Sequence, residues 1–66
     1  MRGDTEMQTI IEQGNRAVVI NEREGHVFAN LYVNTRNGIE NADITTSRWS
    51  GSTVKGAQRW ARKVLA

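Results

Sequence analysis

The sequence predicts an α+β fold: an antiparallel three- to four-stranded β-meander with one C-terminal α-helix packed on one face. Three observations carry that prediction. Residues 26–34 alternate without a break, the dipeptides Gly14-Asn15 and Asn37-Gly38 separate β-forming runs, and apolar residues recur at helical spacing from Val54 to Leu65. The 66 residues are read as one small domain, 1–66, with residues 1–6 expected to be flexible.

The first element is Met7 to Gln13, where Thr9, Ile10 and Ile11 favour a strand. Gly14-Asn15 then makes a tight two-residue turn into a second strand, Arg16 to Ile20. The polar run Asn21 to Gly25 reads as a looser turn. From His26 onward Val27, Ala29, Leu31 and Val33 point one way, whereas His26, Phe28, Asn30, Tyr32 and Asn34 point the other. A type I′ turn at Asn37-Gly38 would pair Arg36 with Ile39. Counting back, Leu31 meets Ile44 and Val33 meets Ala42 on the aliphatic face. On the other face Tyr32 meets Asp43, Asn30 meets Thr45 and Phe28 meets Ser47.

After Trp49, Ser50-Gly51 ends the strand and Ser52 or Thr53 caps the helix. At 100° per residue Val54, Ala57, Ala61, Val64 and Leu65 share one stripe with Trp60 on its flank, and this stripe is expected to cover the aliphatic sheet face. Gly56 costs the helix about 1 kcal/mol relative to Ala, so docking must supply its stability.

A domain this short buries only about 60% of the surface its unfolded chain exposes. With no Cys and a single His, neither disulfides nor a zinc cage can reinforce it. Tight packing or self-association must do so, and a homodimer is an allowed state. The net charge of +2 conceals an uneven distribution. Residues 1–24 carry Arg2, Arg16 and Arg23 against Asp4, Glu6, Glu12, Glu22 and Glu24, whereas from Ile44 onward Arg48, Lys55, Arg59, Arg62 and Lys63 face no acid. No run suits a signal peptide or a spanning helix, so a cytoplasmic protein without a membrane partner is expected, in the host cytoplasm if it is phage-encoded. Arg2-Gly3-Asp4 matches a cell-adhesion tripeptide by coincidence.

Elimination argues against catalysis. The only imidazole, His26, stands at a strand start with no nucleophile and third partner around which a triad could be built. Glu22 and Glu24 flank Arg23 in a turn, where solvation explains them. Gly51-Ser52-Thr53 lacks the spacing of a phosphate loop. No catalytic residue, metal site or cofactor is implied.

Two surfaces remain. Phe28, Asn30, Tyr32, Asn34, Asp43 and Thr45 are expected together on the sheet face away from the helix, as a protein-binding set. The plain alternative is that Met1 to Thr9, or a second copy of the chain, covers them. Asp43 and few cations on that face argue against phosphate as its ligand. The second surface is the basic helix side, Lys55, Arg59, Arg62 and Lys63, suited to nucleic acid or an acidic partner.

The layout of a sheet, the turn Trp49-Ser50-Gly51-Ser52-Thr53 and an Ala-rich helix is similar to the arm-binding domains of phage integrases and to plant DNA-binding domains of that shape. That likeness implies DNA contact through basic sheet residues, and the expected open face offers no matching arginines. In size, lack of Cys and lack of catalytic groups the chain resembles small phage and mobile-element accessory proteins of the anti-CRISPR type. This resemblance implies a non-enzymatic, protein-binding inhibitor of a bacterial defence complex, acting by steric occlusion on a larger protein or nucleoprotein. The alternative is a small DNA- or RNA-binding protein using the C-terminal helix.

Overall fold

A computed structural model describes residues 7–66; the flexibility expected of residues 1–6 lies outside them. The elements are β1 (Met7–Gln13), β2 (Arg16–Arg23), β3 (His26–Val33), β4 (Asp43–Gly51) and α1 (Val54–Leu65). The four strands form one antiparallel sheet in the order β1-β2-β3-β4, with α1 packed across one face, so the α+β meander stands as expected.

Alternation decides which side chains the helix covers. Val18 and Ile20 of β2 and Val27 and Ala29 of β3 are buried with Ala57, Ala61 and Leu65, and Ile11, Leu31, Trp49, Val54, Trp60 and Val64 pack around them. The helix crosses β2, β3 and β4 and leaves β1 at the margin. Its N-terminus is capped as the sequence implied: Thr53 Oγ1 accepts from Gly56 N–H at 3.1 Å. Its other end is held by a residue that sequence reasoning did not single out. Arg16 on β2 donates from Nη1 to Val64 O and from Nη2 to Leu65 O, each at 3.1 Å, satisfying carbonyls that have no partner within the helix.

The Gly14-Asn15 turn stands as expected, and the other two turns exchange roles. Gly14, at φ 62°, opens the two-residue loop that pairs Gln13 with Arg16. The tight turn with φ > 0 at both central residues falls at Glu24-Gly25 (φ 51° and 81°), so β2 continues through Asn21–Arg23 instead of ending at Ile20. Glu pays a steric penalty at positive φ that Asn largely avoids. Glu24→Asn is therefore expected to raise stability by about 0.5–1 kcal/mol, read from urea unfolding; a loss of stability would contradict this turn geometry.

Asn37-Gly38 forms no hairpin turn. Asn34 enters the left-handed region (φ 59°, ψ 47°) and ends β3 before the dipeptide is reached. Asn34 Nδ2 donates to Asp43 Oδ2 at 2.7 Å, and Arg36 N–H donates to Asn15 Oδ1 at 2.9 Å, tying the loop to the Gly14-Asn15 turn. Two successive 3₁₀ turns, Thr35–Asn37 and Ile39–Asn41, fill the connection, with Gly38, Asn41 and Ala42 N–H donating to carbonyls three residues back and Thr35 N–H donating to Asn15 O. The bonds to Asn15 and Asp43 outweigh the local preference of Asn-Gly.

The β3–β4 register is corrected with it. Val33 pairs with Asp43 and Tyr32 with Ile44; beyond an irregularity, Asn30 pairs with Arg48, Ala29 with Trp49 and Phe28 with Ser50. Each pair is displaced by an odd number of residues from the expected one, so β4 turns over. Ile44 leaves the helix side for the open face, and Trp49 takes a place against the helix. Thr45, Thr46 and Ser47 oppose Leu31 in the irregular stretch, where Thr45 Oγ1 donates to Leu31 O at 3.0 Å and accepts from Ser47 N–H at 3.1 Å.

Candidate functional site

The face away from the helix is built from cross-strand rows. Glu12, Ala17, Tyr32 and Ile44 form one row, Ile10, Val19, Asn30 and Arg48 the next, and Gln8, Asn21, Phe28 and Ser50 a third. Arg23 and His26 close the far end, and the imidazole stacks on Phe28 with ring centroids 6.3 Å apart. Phe28, Asn30 and Tyr32 stand here as expected. Met7, Gln8 and Thr9 lie beside β2 as part of β1 and do not fold over the rings; Met1 to Glu6 fall outside the described residues.

The other half of the expected set lies elsewhere. Asp43 pairs with Val33 and is bonded to Asn34, so these two form a corner of the loop and take no place among the aromatic rows. Thr45 spends its hydroxyl on the β3–β4 irregularity. In their stead come residues that alternation alone did not place there: Ile44 beside Tyr32 and Arg48 beside Asn30. A longer count of β4 was needed to find them, and the run Thr45-Thr46-Ser47 carries no Gly or Pro to signal it.

These moves reverse the electrostatic reading. Asp43 no longer bears on this face, Arg23 and Arg48 stand on it, and Glu12 is the acid among its rows. The face is also more apolar than expected. Exposure reaches 41% at Ile10, 47% at Phe28 and 58% at Ile44, over a floor of buried Ala17 and Val19. Phe28, Asn30, Arg48 and Ser50 rim an open depression of about 660 Å³.

On the helix, Lys55, Arg59, Arg62 and Lys63 are all exposed and fall within an arc of about 100° opposite the sheet. Arg59 and Lys63 meet Trp49, Gly56 and Trp60 in a second depression of about 370 Å³. This surface and the open sheet face point in opposite directions, as expected.

Among the described residues no group of three or more His, Cys, Asp or Glu side chains converges to hold a metal ion, and no helix is long and apolar enough to cross a membrane. Fold and surface together define a small α+β domain with one apolar, weakly basic sheet face left uncovered by the described residues. Comparison with protein-family models, with curated proteins and with solved structures finds no match in any of the three.

Proposed function

We propose that this protein is a non-enzymatic binding module whose open sheet face engages a protein partner. The observation that supports this reading is that Ile10, Phe28 and Ile44, the large exposed apolar side chains of β1, β3 and β4 other than Met7, lie on one face around Val19 and Asn30, with Tyr32 beside Ile44. Aliphatic side chains have no stacking use for nucleic-acid bases, whereas exposed apolar and aromatic side chains interspersed with amides and arginines suit a protein interface. Arg23 and Arg48 at the margin favour a partner surface that bears carboxylates. In its narrower form the proposal is a phage-type inhibitor that blocks a bacterial defence complex by steric occlusion. That form rests on the resemblance in size and on the lack of an evident catalytic constellation.

The test is retention of a partner from nuclease-treated bacterial lysate by the tagged protein, followed by affinity measurement with the purified partner. Phe28→Ser and Ile44→Ser, both at sites open enough to leave the fold intact, are each expected to weaken binding by tenfold or more, roughly the loss of a hot-spot side chain. Unchanged affinity in both variants would defeat the proposal.

A second reading has its own support in the uninterrupted basic arc of α1 beside two indoles. A phosphate-bearing ligand held there should bind less tightly as salt rises, and Lys55→Ala with Arg59→Ala should weaken it on all sequences alike.

A further inference from the structure

The two edges of the sheet differ. Along β4 the pairing with β3 breaks between Asn30 and Tyr32, and the extra residues Thr45–Ser47 twist that edge away from a regular template. Along β1 every residue from Met7 to Gln13 is paired regularly with β2, and its outer side carries no Lys, no Pro and no bulge. Those are the devices by which sheets usually blunt an edge.

The Gly14-Asn15 loop fixes which backbone groups of β1 are free. A two-residue loop makes its flanking residues a hydrogen-bonded pair, so Gln13–Arg16, Ile11–Val18, Thr9–Ile20 and Met7–Glu22 exchange bonds within the sheet. The N–H and C=O groups of Gln8, Ile10 and Glu12 therefore point outward, away from β2. Among the described residues no strand lies beyond them.

We propose that this edge takes a second copy of the chain. Two β1 strands pair antiparallel about a two-fold axis at Ile10, joining both sheets into one continuous sheet. In this register Ile10 faces the partner's Ile10, and Gln8 faces the partner's Glu12, so every outward backbone group finds its complement. Gln8 Nε2 donates to Asn21 Oδ1 at 3.1 Å and keeps its second amide proton for the partner's Glu12 carboxylate. An axis at Glu12 would set two carboxylates directly opposite, and an axis at Ile11 would place Glu12 against Ile10 and leave Gln8 unmatched. The dimer shares Ile10 with the face proposed above but leaves Phe28, Tyr32 and Ile44 available, so dimerisation is read with Ile10 variants and partner binding with Phe28 and Ile44 variants.

Sedimentation velocity of the full chain over about a hundredfold range of concentration is expected to show a monomer converting to a dimer. Ile10→Lys, which puts a charge at the axis, should abolish the dimer, whereas Phe28→Ser and Ile44→Ser should leave it in place. Since the chain has no Cys, Ile10→Cys supplies a single thiol. Opposite residues of a hydrogen-bonded pair lie about 5.5 Å apart, a span that a short bifunctional thiol reagent bridges, so this variant should cross-link with such a reagent and Ser47→Cys should not. A wild-type chain that remains monomeric throughout would overturn the proposal. So would a dimer that survives Ile10→Lys, or cross-linking of Ser47→Cys as fast as that of Ile10→Cys.

Discussion

Replacing Trp49 by alanine is expected to lower the free energy of unfolding by about 3 kcal/mol, near the bottom of the range for large aromatic truncations because the indole is only half-buried. The indole lies against Gly51 of β4 and Gly56 of α1. A Cβ on Gly51 would stand 2.5 Å from its ring, and a Cβ on Gly56 would stand 2.8 Å from it. Both glycines are spaces that the ring fills, which gives a physical reason for a poor helix former in the first turn of α1. The consequence is a change of sign. In the wild-type chain Gly56→Ala gains about 1 kcal/mol of helix propensity but displaces the ring, at an overpacking cost of about 1–3 kcal/mol, so it should destabilise. In the Trp49→Ala background the ring is gone and the tight neighbour left is Thr53 Oγ1 at 3.1 Å, which must yield by a few tenths of an ångström. The same substitution should then stabilise by up to about 1 kcal/mol. Urea unfolding of the four proteins completes the cycle. Equal effects of Gly56→Ala in both backgrounds would show that the indole does not occupy this space.

Arg16→Met is expected to cost about 2 kcal/mol, although the substitution keeps the aliphatic stem and removes no buried apolar atom. Its guanidinium closes the last turn of α1 by two bonds, and a cation placed there also faces the negative end of the helix. A buried hydrogen bond from a charged donor contributes about 1.5–3 kcal/mol. Here water can replace the guanidinium at both part-buried carbonyls, so the two bonds together are set near the low end of that range, with about 0.3–1 kcal/mol more from the dipole. Arg16→Lys keeps the charge but not the fork, and should recover about half of the loss. Hydrogen exchange offers a second measurement, with the amides of the last helical turn losing protection before those of the first. If Arg16→Met changes stability by less than about 0.5 kcal/mol, the bond between β2 and the helix end contributes nothing of note.

What could be read from the residues was whatever depends on short-range periodicity. The alternation of Val27, Ala29 and Leu31, the apolar stripe from Val54 to Leu65 and the Thr53 cap each follow from neighbours a few residues away, and each is found. What could not be read depends on contacts between distant segments. Asn37-Gly38 has the composition of a hairpin turn, yet Asn15, Asn34 and Asp43 hold the chain in a different path. Glu24-Gly25 makes the tight turn although Glu is a poor residue for it. The candidate site suffered in proportion. Phe28, Asn30 and Tyr32 belong to β3, whose alternation was unambiguous, and they stand where expected. Asp43, Thr45, Ile44 and Arg48 belong to β4, whose faces were reversed by a register that only the loop and the irregular stretch determine.

The grip of Arg16 on the end of the helix also bears on the order of events in this chain. Val64 lies 48 residues from Arg16, so this contact encloses almost the whole meander and cannot be made by any local segment. Closing such a long span is entropically slow, and it is worth closing only once the intervening strands are in place. The helix is therefore expected to be completed last during folding and released first under stress. Its final turn behaves less as the end of a helix than as a latch on the second strand.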